Sequence, residues 1–110
     1  MTIREAAAVL GAGIIHDEYD DAELSGAYTS DLLSDVLANS KSNVLITIQA
    51  HINTVAVATV VNIAAIIICN SRPVPEDMLT AAKEHGIAIL LSRENQFVVS
   101  GKLYSLLNLS

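Results

Sequence analysis

Polar side chains that could bind a small ligand come directly after four apolar runs of the sequence. The four groups are Ser30-Asp31, Gln49 to Thr54, Cys69 to Arg72, and Ser92-Arg93. Amides, hydroxyls and an imidazole orient a ligand through hydrogen bonds, whereas a guanidinium neutralises an anion. If the apolar runs are neighbouring parallel strands, all four groups meet at the carboxyl edge of one sheet, which is where open α/β sheets bind ligands.

We predict a ligand-binding site at this edge, in which each residue type has a separate role. Backbone amides near Asn53 and Asn70 would receive an anion, as amides at helix N-termini do. Arginine side chains would neutralise the anion, and an amide and an imidazole would orient it. The predicted site residues are Gln49, His51, Asn53, Thr54, Asn70, Ser71, Arg72 and Arg93.

Simpler roles explain several of these residues equally well. Asn53 and Thr54 are good helix N-cap types, and capping alone would account for them. His51 also fits a hydrogen-bonded loop residue, and both arginines fit a plain surface position. Asp31 and Asp35 lie four residues apart, so they form either an acid pair on one helix face or part of a solvated face.

No metal or cofactor is predicted. The chain has one cysteine, and its three histidines are scattered, which is not a zinc-binding pattern. The acidic stretch at 17–23 lacks the spacing of a calcium-binding loop. Cys69 ends an apolar run and is expected to be a buried thiol, and His16 and His85 are expected to be structural.

The pattern from residue 44 onward predicts the order β-α-β-α-β-α. The strands 44–48, 64–69 and 87–92 are unbroken apolar runs, typical of a parallel sheet covered on both faces. Helices are predicted over 52–63, from Pro75 to Gly86, and from about Asn95 to Leu107. Before residue 44 we expect a helix over 3–10 with Thr2, Glu5 and Gly11 at its ends, strands over 12–16 and 24–30, and a helix from residue 32 capped by Ser30 or Asp31. The predicted class is a single α/β domain spanning 1–110, with a mostly parallel sheet and helices on both faces.

The amino-acid composition and net charge indicate which classes of binding partner to expect. Hydrophobic residues make up 52% of the chain, and the net charge is −6 with only six Lys and Arg. Because binding to nucleic acid or to an anionic membrane needs a basic surface, neither partner is expected. The N-terminus, Met-Thr-Ile-Arg-Glu, lacks the basic region of a signal peptide, and a single cysteine fits a reducing compartment, so we expect a cytoplasmic protein.

No catalytic motif is present in the sequence. It contains no G-x-G-x-x-G, no G-x-x-x-x-G-K-[ST] and no G-x-S-x-G. An enzyme is therefore not expected.

Four segments together resemble the DRTGG domain family over nearly the whole chain. They are SDLLSDVLA, VLITIQAHINTVAVA, AAIIICNSRPVPEDMLTAAKEHGIAILLS and FVVSGKLYSLL. The Gly-Asp-Arg of that family aligns with Gln49, Ala50 and His51. Its Thr-Gly-Gly aligns with Cys69, Asn70 and Ser71, so neither motif is intact. Of the replacements, asparagine adopts positive φ more readily than most residues.

The resemblance implies a fold similar to the non-catalytic N-terminal domain of HPr serine kinase. It also implies a regulatory or sensing module that forms a homodimer, with a small anion or an adenine nucleotide as the ligand. The alternative is a ligand-free protein-interaction module. In that case the resemblance implies a companion of a metabolic system or of an iron-only hydrogenase.

Overall fold

The computed structural model describes residues 1–107, which form five helices and one five-stranded sheet. The helices are α1 (Ile3–Leu10), α2 (Leu33–Asn39), α3 (Ile52–Val60), α4 (Glu76–His85) and α5 (Gln96–Leu106). The strands are β1 (Gly13–Ile14), β2 (Tyr28–Thr29), β3 (Val44–Thr47), β4 (Ala65–Ile68) and β5 (Ala88–Leu91). Within these residues no helix has both the length and the apolarity that crossing a membrane requires.

The sheet is mostly parallel, and its strand order is β1-β5-β4-β3-β2. Strands β2, β3, β4 and β5 run parallel, and only the edge strand β1 is antiparallel. In the central register Ile46 lies opposite Ile67, which lies opposite Leu90. The predicted order β-α-β-α-β-α and the α/β class are both confirmed.

Alternate residues of the central strands pack on opposite faces of the sheet. Ile46, Ile67 and Leu90 pack with the buried side chains of α1 and α5. Leu45 and Ile66 belong to the other layer, with buried side chains of α2, α3 and α4. Because both faces are covered, the strands contain apolar residues throughout rather than at every second position.

Local sequence signals set the ends of two helices as predicted. Thr2 and Glu5 form a reciprocal capping box at the start of α1. Gly11 and Gly86 end α1 and α4 in the left-handed conformation, with φ of 66° and 67°. Glycine adopts these angles without the steric cost of a Cβ atom.

Three predicted elements are longer than those observed by three residues or more. The strands predicted over 12–16 and 24–30 each contain only two paired residues, at the two edges of the sheet. The helix predicted over 52–63 ends at Val60, because Asn62 turns into the left-handed region at φ 59°. The amide of Ile63 then donates to the carbonyl of Ala58 at 2.9 Å, which closes the helix.

Candidate functional site

The loops that follow the four parallel strands are joined to one another by hydrogen bonds at the carboxyl edge. Asp31, after β2, accepts from Thr47 and Ile48 at the end of β3. The amides of Asn70 and Ser71, after β4, donate to the carbonyls of Glu94 and Ser92, after β5, at 3.0 and 2.9 Å. The predicted convergence of the four polar groups is therefore confirmed.

Asp31 lies at the centre of this network. Its Oδ1 accepts from the Thr47 hydroxyl at 2.9 Å, from the Ile48 amide at 2.8 Å and from the Gln96 side-chain amide at 3.0 Å. Partial burial raises the pKa of the Asp31 carboxyl, but these three donors and the charge of Arg72 outweigh burial, so the pKa is lowered overall. The carboxylate is therefore ionised at neutral pH and held in one position.

This position of Asp31 corrects two sequence predictions. Neither Ser30 nor Asp31 caps α2, because Leu32 is the N-cap residue and makes no side-chain cap bond. Asp31 and Asp35 are not a pair on one helix face either, since Asp31 precedes α2. Asp35 instead accepts from the Tyr28 hydroxyl at 2.8 Å. Asp31 lies where the hydroxyl of Thr47 and the amide of Ile48 need a hydrogen-bond acceptor. The helical pattern of the neighbouring residues does not reveal that need.

The turn after β4 has positive φ angles, which glycine adopts more readily than other residues do. Asn70 and Ser71 adopt φ of 61° and 52°, both in the left-handed region. These are the two positions that align with glycines in the family resemblance. Asparagine tolerates this conformation better than serine does, so the backbone strain lies mainly at Ser71.

The N-terminus of α3 is capped by His51. The Nδ1 of His51 accepts from the amide of Asn53 at 3.0 Å, and its carbonyl accepts from the amide of Thr54 at 2.9 Å. The interpretation of Asn53 and Thr54 as N-cap residues is therefore wrong, because both lie inside α3. The buried hydroxyl of Thr54 donates to the carbonyl of Gln49 at 2.7 Å, which fixes the loop between β3 and α3.

These bonds change what the predicted site residues offer a ligand. The amides of Asn53, Asn70 and Ser71 are already donating within the chain, so an anion would have to be met by side chains. Seven of the eight predicted residues are exposed at this edge, and only Thr54 is buried. Within residues 1–107 the two ion pairs join Met1 to Glu23 and Lys102 to Glu94, so neither Arg72 nor Arg93 is paired.

Sequence reasoning missed Thr47 and Gln96. Thr47 is the one polar residue inside an apolar strand and is fully buried, and that pattern was the available signal. Its hydroxyl accepts from the amide of Gln49 at 3.0 Å as well as donating to Asp31. Gln96 carries no such signal, because it reaches Asp31 across 65 residues of sequence.

Metal ligands are not grouped in this region. Among residues 1–107 no three or more His, Cys, Asp or Glu side chains come together in a way that could hold a metal ion.

Cys69 is fully buried, and burial together with the nearby charge of Asp31 raises the pKa of its thiol to about 11. We expect this thiol to stay unmodified by a disulfide reagent in the folded protein at pH 8, since the thiolate is the reactive form and is scarce there. In urea the same thiol should react within minutes. Absorbance of the released chromophore measures both rates. Fast stoichiometric reaction without denaturant would contradict the buried position.

A scan against protein-family models finds no match, and a search of curated proteins finds no significant similarity. The resemblance to the DRTGG domain therefore stays a prediction from the sequence.

Proposed function

We propose that this protein is a non-catalytic regulatory module that acts in the cytoplasm as a homodimer. In this proposal it binds a small anionic ligand, such as a nucleotide, at the carboxyl edge of its sheet. The observation that carries the proposal is the pair of arginines. Arg72 and Arg93 follow adjacent strands, and neither makes a salt bridge within residues 1–107. Arg72 lies near enough to Asp31 for its charge to lower the pKa of that carboxyl.

Two hydrogen bonds support a joint role for the arginines. The segments that carry Arg72 and Arg93 are joined by the bonds from Asn70 to Glu94 and from Ser71 to Ser92. A fixed pair of loops presents two guanidinium groups with less loss of conformational entropy on binding than two free loops would. In a chain of net charge −6, two unpaired cations at one edge form a local site for an anion.

The fixed carboxylate of Asp31 favours a particular kind of anion. All three of its hydrogen bonds are made by Oδ1, which leaves Oδ2 as an acceptor for a ligand. A carboxylate accepts from hydroxyl or amino groups, and arginine binds phosphate. A ligand that carries both, such as a nucleotide with its ribose hydroxyls, fits this combination better than a simple anion. The exposed side chains of Gln49 and His51 lie on the neighbouring loop and would orient it.

A thermal-shift titration tests the proposal with adenine nucleotides, diadenosine polyphosphates, acyl phosphates and inorganic phosphate as probes. A ligand at a hundred times its dissociation constant stabilises a protein by about 2.7 kcal/mol. For a domain of this size, that raises the midpoint temperature of thermal unfolding by roughly 10 °C. The double variant Arg72→Ala/Arg93→Ala should lose at least tenfold in affinity, because it removes two charge-assisted contacts.

The matched control is Lys41→Ala/Lys83→Ala, which removes the same charge away from the carboxyl edge. It should bind as the unmodified protein does. Equal loss in both double variants would mean that net charge alone attracts the ligand. Unchanged binding in the arginine variant would place the site elsewhere.

The alternative is a ligand-free interaction module that accompanies a metabolic or hydrogenase-related protein. The observation that favours it is the exposure of two apolar side chains beside this edge, Leu32 at 65% and Ile52 at 37%. No response to any probe in the titration, together with a purified partner whose binding is lost in Leu32→Ser, would favour this function over ligand binding.

A further inference from the structure

The carboxylate of Asp31 has one oxygen bound within the fold and one that is open to a ligand. Oδ1 accepts from the Thr47 hydroxyl, the Ile48 amide and the Gln96 side chain, while Oδ2 has no hydrogen-bond partner within residues 1–107. In the same residues the buried side-chain oxygen without a partner is Ser40 Oγ, so Oδ2 of Asp31 is accessible from outside. A fixed carboxylate therefore presents an unused acceptor at the carboxyl edge.

The two arginines of the proposed site differ in how close they lie to this carboxylate. Asp31 is bound to the end of β3. Arg72 follows β4, which pairs with β3, and its charge acts on the Asp31 carboxyl. Arg93 follows β5, which is one strand farther from β3, and neighbouring strands lie about 4.8 Å apart. Arg72 therefore has a negative group beside it, and Arg93 is farther from that group.

An anion that binds at Arg72 also meets the charge of Asp31. Its three hydrogen bonds keep the Asp31 carboxyl ionised, and like charges in contact oppose binding. A ligand hydroxyl that donates to Oδ2 turns this unfavourable contact into a charge-assisted hydrogen bond. A polar group that only one of two ligands can satisfy discriminates against the other ligand.

Ribose hydroxyls are suitable donors for a carboxylate in this place. In α/β proteins that bind dinucleotides, a carboxylate accepts from a ribose hydroxyl while the phosphates lie at the carboxyl edge of the sheet. Asp31 follows β2 and lies at the same edge as the two arginines. The combination fits a phosphate ester that carries sugar hydroxyls.

We propose that Asp31 is the specificity-determining residue of this edge, which repels simple anions and accepts a hydrogen bond from a sugar hydroxyl of a phosphate ester. This inference rests on the proposed function and adds to it the residue that selects the ligand. The arginines supply attraction for any anion, and Asp31 restricts that attraction to ribonucleotides and similar sugar phosphates.

Asp31→Asn tests this selectivity, because the fold determines how the new amide lies. The Ile48 amide can only donate, so the oxygen of the asparagine takes the place of Oδ1. The NH₂ group then replaces Oδ2, and a charged acceptor becomes a neutral donor that an anion can use. Circular dichroism checks that the variant is folded.

Isothermal titration calorimetry compares adenosine monophosphate, its 2′,3′-dideoxy analogue and inorganic phosphate. The first two probes have the same charge and base and differ only in the ribose hydroxyls. The unmodified protein should bind adenosine monophosphate about tenfold more tightly than the analogue, as one hydrogen bond to a charged group predicts. Asp31→Asn should reduce that preference to about threefold or less, and should bind phosphate about tenfold more tightly than the unmodified protein does.

Asp35→Asn is the matched control. It removes the same charge from α2, where the carboxylate accepts from Tyr28 and Asn39 instead. It should leave the affinities for all the probes unchanged. Equal gains in phosphate affinity in both asparagine variants would assign the effect to net charge and overturn the role of Asp31.

The same titrations separate this inference from the proposed function. If Arg72→Ala/Arg93→Ala loses adenosine monophosphate but Asp31→Asn keeps every affinity of the unmodified protein, the ligand site stands and the selective role of Asp31 is wrong. If no probe binds to the unmodified protein or to Asp31→Asn, the proposed function itself is wrong.

Discussion

Asp31→Ala is expected to lower the free energy of unfolding by about 2–3 kcal/mol, because it removes a charged acceptor that satisfies three donors. Two of those donors lie at the end of β3, and Thr47 is fully buried. The third, Gln96, begins α5, so the loss would loosen contacts among three elements. Urea unfolding followed by circular dichroism measures the change in free energy.

Asp31→Asn is the matched control, since the amide oxygen keeps an acceptor at the same place and loses only the charge. Its expected loss is about 1 kcal/mol. The pH dependence of stability separates the role of the charge of Asp31 from its role as a hydrogen-bond acceptor. The pKa of Asp31 is lowered in the folded state, so its contribution is present above the unfolded pKa of about 4 and is lost as pH falls through the folded value. Asp31→Asn should therefore lose less stability on acidification than the unmodified protein. Equal stabilities of Asp31→Ala and the unmodified protein at pH 7 would mean that the carboxylate does not hold the edge together.

His16→Ala is expected to cost about 2–3 kcal/mol of folding free energy, because it leaves polar backbone groups without partners. The imidazole is 7% exposed, and its Nε2 donates to the carbonyl of Ile87 at 2.7 Å. Its Nδ1 accepts from the amide of Glu18 at 3.0 Å, which requires that the hydrogen be on Nε2. The ring also meets Tyr19 edge to face, with centroids 5.9 Å apart. Thermal unfolding of the variant and the unmodified protein under the same conditions measures the loss of these contacts.

His85→Ala is the control for this substitution. His85 ends α4, is exposed, and makes no side-chain hydrogen bond within residues 1–107. Its removal should change stability by less than about 0.5 kcal/mol. The sequence predicted a structural role for both histidines, and only His16 has partners that support one. A small effect at His16 would mean that water satisfies Ile87 and Glu18 equally well.

Interactions between residues close together in the sequence were enough to predict the helices and strands that form the framework. The runs around Ile46, Ile67 and Leu90 are apolar without interruption because the sheet is covered on both faces. Thr2 with Glu5, and Gly11 and Gly86, act within one turn of helix, so their geometry follows from their spacing alone. Joining these elements in the usual right-handed order was then sufficient to bring four polar loops to one edge.

The sequence by itself therefore determined the class of fold, the central strands and which loops share an edge. Only the tertiary structure decided which donors and acceptors remain free there. Asp31 binds residues 16 and 65 positions away, and no periodic pattern reports contacts of that kind. His51 rather than Asn53 caps α3, and Asn70 and Ser71 donate to the loop after β5, because each backbone group bonds the nearest partner that the packed chain supplies. The exposure of Phe97 is likewise a property of packing, since α5 has apolar residues on two sides and the sheet covers only one of them.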